Sequence, residues 1–80
     1  MAAQPSVASV CVTVAKLLQQ ERLSQKLSLT RVAEKAALSR QMVSYVERGL
    51  RVPSLDTLLR ITRVLEIDPG DLLRRAHRRT

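Results

Sequence analysis

Arg40, Gln41, Ser44, Tyr45 and Arg48 stand close together in the chain, with Arg51 just beyond them. On a helix turning ~100° per residue, with Arg40 at zero, Ser44 falls at ~40°, Arg48 at ~80°, Gln41 at ~100° and Tyr45 at ~140°. Met42, Val43 and Val46 occupy an arc from ~200° to ~300°, apolar and suited to a core. The polar arc carries side chains able to recognise nucleic-acid bases. The guanidinium of Arg40 matches the acceptors of guanine, and the amide of Gln41 matches the donor–acceptor pair of adenine. Ser44 and Tyr45, one turn later, reach a thymine methyl, a base edge or a phosphate. Arg48 and Arg51 flank the helix end, where phosphate contacts are expected. The alternative is an ordinary solvated face. Such faces favour Glu and Lys, whereas this one holds Arg, Gln, Ser and Tyr, and Tyr45 is the chain's only aromatic residue.

These residues need a rigid mount. Ser39 is positioned to cap the helix over 39–48, and Gly49 suits the left-handed residue that ends it. Ala37 and Leu38 make a tight turn from a preceding helix capped by Ser28, with Val32, Ala33 and Ala36 facing inward. Thr30, Ser28 and the first amides of that helix offer a second phosphate site at a helix amino terminus. Before this pair, Val7, Val10, Cys11, Val14, Leu17 and Leu18 recur at helical spacing between Ser6 and about Arg22. After it, Ser54 caps a helix over 55–65, and Asp68-Pro69 opens a fifth that runs into an arginine-rich end. The expected architecture is all-α: a compact five-helix bundle forming one domain over 6–76. A loose leader occupies 1–5 and a basic tail 74–80. In the fourth helix, Leu55, Leu58, Leu59, Thr62 and Leu65 are expected to form the core stripe. Ile61 and Val64 widen that stripe sideways towards Ile67, so these three are expected at a homodimer interface.

Residues 17–73 resemble the lambda-repressor and Cro class of helix-turn-helix domains, the XRE family. The resemblance rests on Leu27-Ser28, Val32-Ala33, Leu38-Ser39-Arg40, Val43, Val46-Glu47-Arg48-Gly49, Pro53-Ser54-Leu55 and Leu58-Leu59. It implies a third helix that enters the major groove, usually within a dimer on a two-fold operator. It also implies that Glu47 pairs with Arg22 at the end of the first helix; two independent surface charges are the alternative. The chain departs from the family pattern at three places. Ala37 replaces the usual glycine of the turn, Leu29 replaces a glutamine that follows the cap, and Lys26 stands where glycine is common. The short stand-alone domain resembles restriction–modification controller proteins and phage-type repressors.

Composition agrees with a polyanionic partner. The 80 residues hold fourteen basic and seven acidic side chains, a net charge of +7, and neutralising phosphates releases condensed counterions. No apolar run approaches the ~20 residues of a membrane span. The amino terminus lacks the basic start and long apolar run of a signal peptide. The single Cys11 falls on an apolar face and is expected to be a buried, reduced core residue of a cytoplasmic protein. His77 stands alone in the basic end, and no metal-ligand cluster, glycine-rich phosphate loop or nucleophile–base arrangement is present. The expectation is therefore a sequence-specific transcriptional regulator on a palindromic operator, not an enzyme, with no cofactor and no small-molecule ligand. An antitoxin or adaptor using the same fold to bind a protein partner is the alternative.

Overall fold

Residues 4–80 are described by a computed structural model of the chain, so the first three residues of the expected leader lie outside the described residues. Five helices follow in order: α1 (Val7–Ser24), α2 (Leu29–Ala36), α3 (Arg40–Glu47), α4 (Leu55–Leu65) and α5 (Pro69–Arg79). Each begins on a side-chain oxygen that accepts a hydrogen bond from a backbone amide in the first turn. Ser6 accepts from Ser9, Ser28 from Arg31, Ser39 from Met42, Ser54 from Thr57 and Asp68 from Asp71. Such a cap contributes about 0.5–2 kcal/mol, because it satisfies an amide that the helix itself cannot.

The first four helices also end alike. Lys26, Ala37, Gly49 and Glu66 adopt the left-handed conformation, with φ of 58, 57, 72 and 58°. The next amide then reaches back to a carbonyl in the last turn: Leu27 to Arg22 at 3.1 Å, Leu38 to Ala33 at 2.9 Å, Leu50 to Tyr45 at 2.9 Å and Ile67 to Thr62 at 3.1 Å. This arrangement recovers orphaned carbonyls and places an apolar residue beneath the helix end. Leu27, Leu38 and Ile67 use that placement to pack on the core.

The core runs through all five elements, with Leu18, Leu65 and Leu72 the largest fully buried side chains and Val32, Val43 and Val46 beside them. α2 packs on α3 and α4, while α1 packs chiefly on α5 and also on α3. Gln25, just after α1, donates from Nε2 to the Leu65 carbonyl at 2.7 Å, joining the end of α1 to the last turn of α4. No buried side-chain nitrogen or oxygen among the described residues lacks a partner.

Three expectations change. In α4, the inward set is Leu58, Ile61, Thr62 and Leu65, while Leu55 is 70% and Leu59 44% exposed. Leu58, Thr62 and Leu65 are inward as expected, but the buried face is centred about 45° from the expected stripe, towards Ile61, because Leu58 begins the i, i+3, i+4, i+7 series that fits one helix face. Ile61, expected at a dimer surface, is consequently 2% exposed and part of the core. Val64 and Ile67 are half-buried at its edge. In α1, the apolar row is buried only from Val14 onward, leaving Val7 exposed and Cys11 half-buried as a free thiol outside the core. The segment 74–80, expected as a tail, continues α5 through Arg79, because Ala76 is buried against the other helices. No helix among the described residues is long and apolar enough to cross a membrane.

Candidate nucleic-acid interface

Two short helices, eight residues each, form the mount for the site. The backbone between them turns at Ala37, and the Leu38 side chain packs down on the core. α3 is thereby fixed with Val43 and Val46 buried and Arg40, Gln41 and Arg48 exposed. Ser44 and Tyr45 are half-buried, at the shoulder of the exposed face rather than on its crest. Arg51 is exposed on the loop that follows α3. None of Arg40, Arg48 and Arg51 has an acidic partner among the described residues. The site therefore presents three uncompensated guanidiniums around one short helix.

Gln41 and Tyr45 are linked. The Gln41 amide donates from Nε2 to the Tyr45 hydroxyl at 2.6 Å. Residues at this i, i+4 spacing are neighbours on a helix surface, and that spacing was the available signal for the contact, which the residue-by-residue wheel did not use. The bond leaves the Gln41 carbonyl oxygen and one amide hydrogen free, which is the pair an adenine edge requires.

Ser28 and Ser39 stand where the sequence places them, but their side-chain oxygens accept from Arg31 and Met42 and so serve the helix ends first. Each hydroxyl retains its hydrogen for an outside acceptor. Thr30 is exposed in the first turn of α2.

Arg22 and Glu47 meet. Nε of Arg22 donates to Oε2 of Glu47 at 2.7 Å and a terminal guanidinium nitrogen donates to Oε1 at 3.0 Å, a two-pronged pair buried between α1 and α3. The other terminal nitrogen donates to the Leu27 carbonyl at 2.8 Å. One guanidinium thus holds α1, the turn before α2 and the last residue of α3. The acid is satisfied inside the protein and does not repel phosphate at the exposed face.

Comparison with known proteins gives a consistent set of likenesses. The helix-turn-helix family matches residues 18–72. Uncharacterised HTH-type transcriptional regulators from two strains of Mycobacterium tuberculosis are each 36% identical over 59 residues, which is 74% of this chain and 42% of theirs. The chain therefore spans less than half the length of the curated relatives it matches. Among solved structures, the restriction-modification controller protein C.AhdI from Aeromonas hydrophila superposes with a TM-score of 0.73 at 34% identity, over 78% of this chain and 94% of that one. SinR, described as the master regulator for biofilm formation and solved in complex with DNA, superposes with a TM-score of 0.69 at 31% identity, over 75% and 97% of the two chains. The N-terminal DNA binding domain of SinR from Bacillus subtilis gives 0.71 at 30% identity, over 78% and 91%.

Proposed function

The chain belongs to the helix-turn-helix family, and on that premise we propose that it is a sequence-specific, double-stranded-DNA-binding transcriptional regulator that reads the major groove with α3. The observation that carries this reading is the uncompensated Arg40, Gln41, Tyr45 and Arg48 face on a helix whose opposite side is locked into the core. Arg40 and Gln41, in the first turn, approach base edges most closely. Arg48 and Arg51 contact phosphates on one side of the groove, and Thr30 with the first amides of α2 contacts them on the other. Ser39, Ser28 and Ser44 add hydroxyl hydrogens to the same backbone. C.AhdI is a controller protein and SinR was solved on DNA; both support a binding module rather than an enzyme.

The regulator works as a two-fold homodimer on a palindromic operator. Val64 and Ile67, half-buried at the edge of the core, supply part of the dimer surface. Dimer burial supplements the small core of an 80-residue chain.

Selection of bound duplexes from a random library tests the reading. The expected product is a two-fold site with half-sites ~10 base pairs apart, centre to centre. Arg40→Ala and Gln41→Ala together should then erase base preference while leaving weak salt-dependent binding to any duplex. Retained preference in that protein would overturn the assignment of α3 and favour an adaptor that binds a protein partner.

A further inference from the structure

The positive charge of this molecule has two centres. α5 carries Arg74, Arg75, Arg78 and Arg79 against the single Asp71, so four arginines less one aspartate leave it with +3 of the chain's +7. None of the four arginines has an acidic partner among the described residues. On a wheel with Arg74 at zero, Arg78 falls at ~40°, Arg75 at ~100° and Arg79 at ~140°, one continuous basic stripe. Leu72 and Ala76, at ~160° and ~200° on that wheel, are buried. Thr80, at ~240°, bonds Thr13 of α1 at 2.9 Å. The stripe therefore points away from α1.

Its position relative to α3 follows from α1. Counting from Val7, the α1 residues Ala8, Cys11 and Ala15 fall between ~40° and ~100° and line an open apolar groove of about 560 Å³ with Gly49 and Arg51. Thr13, the residue bonded to α5, falls at ~240°, on the opposite flank of α1. The fifth helix also packs on α1 and α4 rather than on the α2–α3 pair. A duplex seated on α3 and Arg51 thus lies on one side of α1, and the stripe lies on the far side.

We propose that the outer face of α5 is a second, sequence-independent phosphate-binding surface, by which a molecule seated on one duplex through α3 holds a second segment of double-stranded DNA. This rests on the reading of α3 as the sequence-specific face. Guanidiniums suit the role because each presents fixed donors that match phosphate oxygens. α5 carries no Phe, Tyr or Trp, and its one imidazole, His77, lies at ~300° on the wheel, against Gln4 and outside the stripe, which fits backbone recognition.

Two variants separate the surfaces. One, R40A/Q41A/R51A, removes the two base-reading side chains and the Arg51 phosphate contact from the α3 side; the other, R74Q/R78Q/R79Q, removes exposed members of the stripe and leaves half-buried Arg75 in place. Circular dichroism establishes that both retain the wild-type helix content. Each is titrated with a fluorescent random-sequence duplex of 30 base pairs, and each is tested for capture of that duplex onto beads coated with an unlabelled one. Each variant should bind duplex in solution, while R74Q/R78Q/R79Q should lose the capture of a second duplex that the wild type shows. Losing three phosphate contacts should flatten the slope of log affinity against log salt by ~2.7 in R74Q/R78Q/R79Q, while R40A/Q41A/R51A, which loses the Arg51 phosphate contact, should flatten it by ~0.9. The proposal is overturned if R74Q/R78Q/R79Q captures as much second duplex as the wild type, if the wild type captures none, or if R40A/Q41A/R51A fails to bind duplex. Binding by R40A/Q41A/R51A to polyglutamate but not to duplex also overturns it, in favour of an acidic protein partner. If R74Q/R78Q/R79Q binds no duplex while R40A/Q41A/R51A does, the stripe stands and the reading of α3 falls.

Discussion

The Gln41 amide is already held by the Tyr45 hydroxyl before any DNA arrives, so part of the ordering that base recognition requires is complete in the free protein. Tyr45→Phe should weaken binding to selected DNA by ~0.5–1.5 kcal/mol, the worth of one hydrogen bond. Gln41→Ala should cost ~1–3 kcal/mol, and neither change should affect random duplex. Adding Tyr45→Phe to Gln41→Ala should then cost almost nothing further; full additivity in anisotropy titrations would show two independent contacts. The Arg22–Glu47 pair is a second coupled unit. Arg22→Ala and Glu47→Ala should each cost ~3–5 kcal/mol, since each leaves a buried charge without its partner. The double variant should lose clearly less than the sum, read from denaturant midpoints. The pairing was named in sequence only through a family resemblance. The bond from Arg22 to the Leu27 carbonyl was not legible at all, because a loop carbonyl's direction depends on how the packed helices close the turn.

At the scale of the elements, the start signals could be read directly: Ser28, Ser39 and Ser54 cap the helices they were expected to cap, and Ser6 and Asp68 cap the helices they were expected to open. The ends were harder. Gly49 declares a left-handed residue by its type, and Ala37 stood out as a replaced glycine, but nothing about Glu66 distinguishes it from a surface acid. Only the backbone reveals its φ of 58°. Three of the four helix ends therefore carry a β-carbon where glycine would relax the chain. Ala37→Gly and Glu66→Gly should each relieve roughly 1–2 kcal/mol of that strain and give back about 0.4–1 kcal/mol through a freer unfolded state. A net gain of ~0.5–1 kcal/mol corresponds to a rise of about 2–8 °C in Tm for a domain of this size. Unchanged or lower melting temperatures in both variants would contradict strain at these ends. The rotation of α4 by about 45° had a different cause. Leu55, Leu58, Leu59, Ile61, Val64 and Leu65 ring so much of the helix that periodicity admits two inward faces, and only packing on α2 and α1 selects one.

For the whole molecule, that rotation changes which residue can test assembly. Ile61→Asp should unfold the protein, because it places a charge among core side chains. Val64→Asp, at the half-buried edge, should leave the helices intact and shift the sedimentation coefficient from dimer to monomer. A Val64→Asp protein that sediments as a dimer would remove this edge from the interface. The overall class was open to sequence reading because five capped amphipathic helices with short connections admit few compact arrangements. The charge layout was not, since the arginines of 74–79 look like a solvated tail until the helix carrying them is seen to dock through Ala76. That docking has a topological consequence. The Gln4 side chain lies 3.0 Å from the His77 ring, and Thr13 meets Thr80, so the two extremities of this fold sit side by side on α1. A short glycine-rich linker should join them without unfolding any helix. New ends opened within 50–53, the exposed loop after α3, would give a circular permutant in which the order of the helices along the chain changes while every packed face is kept.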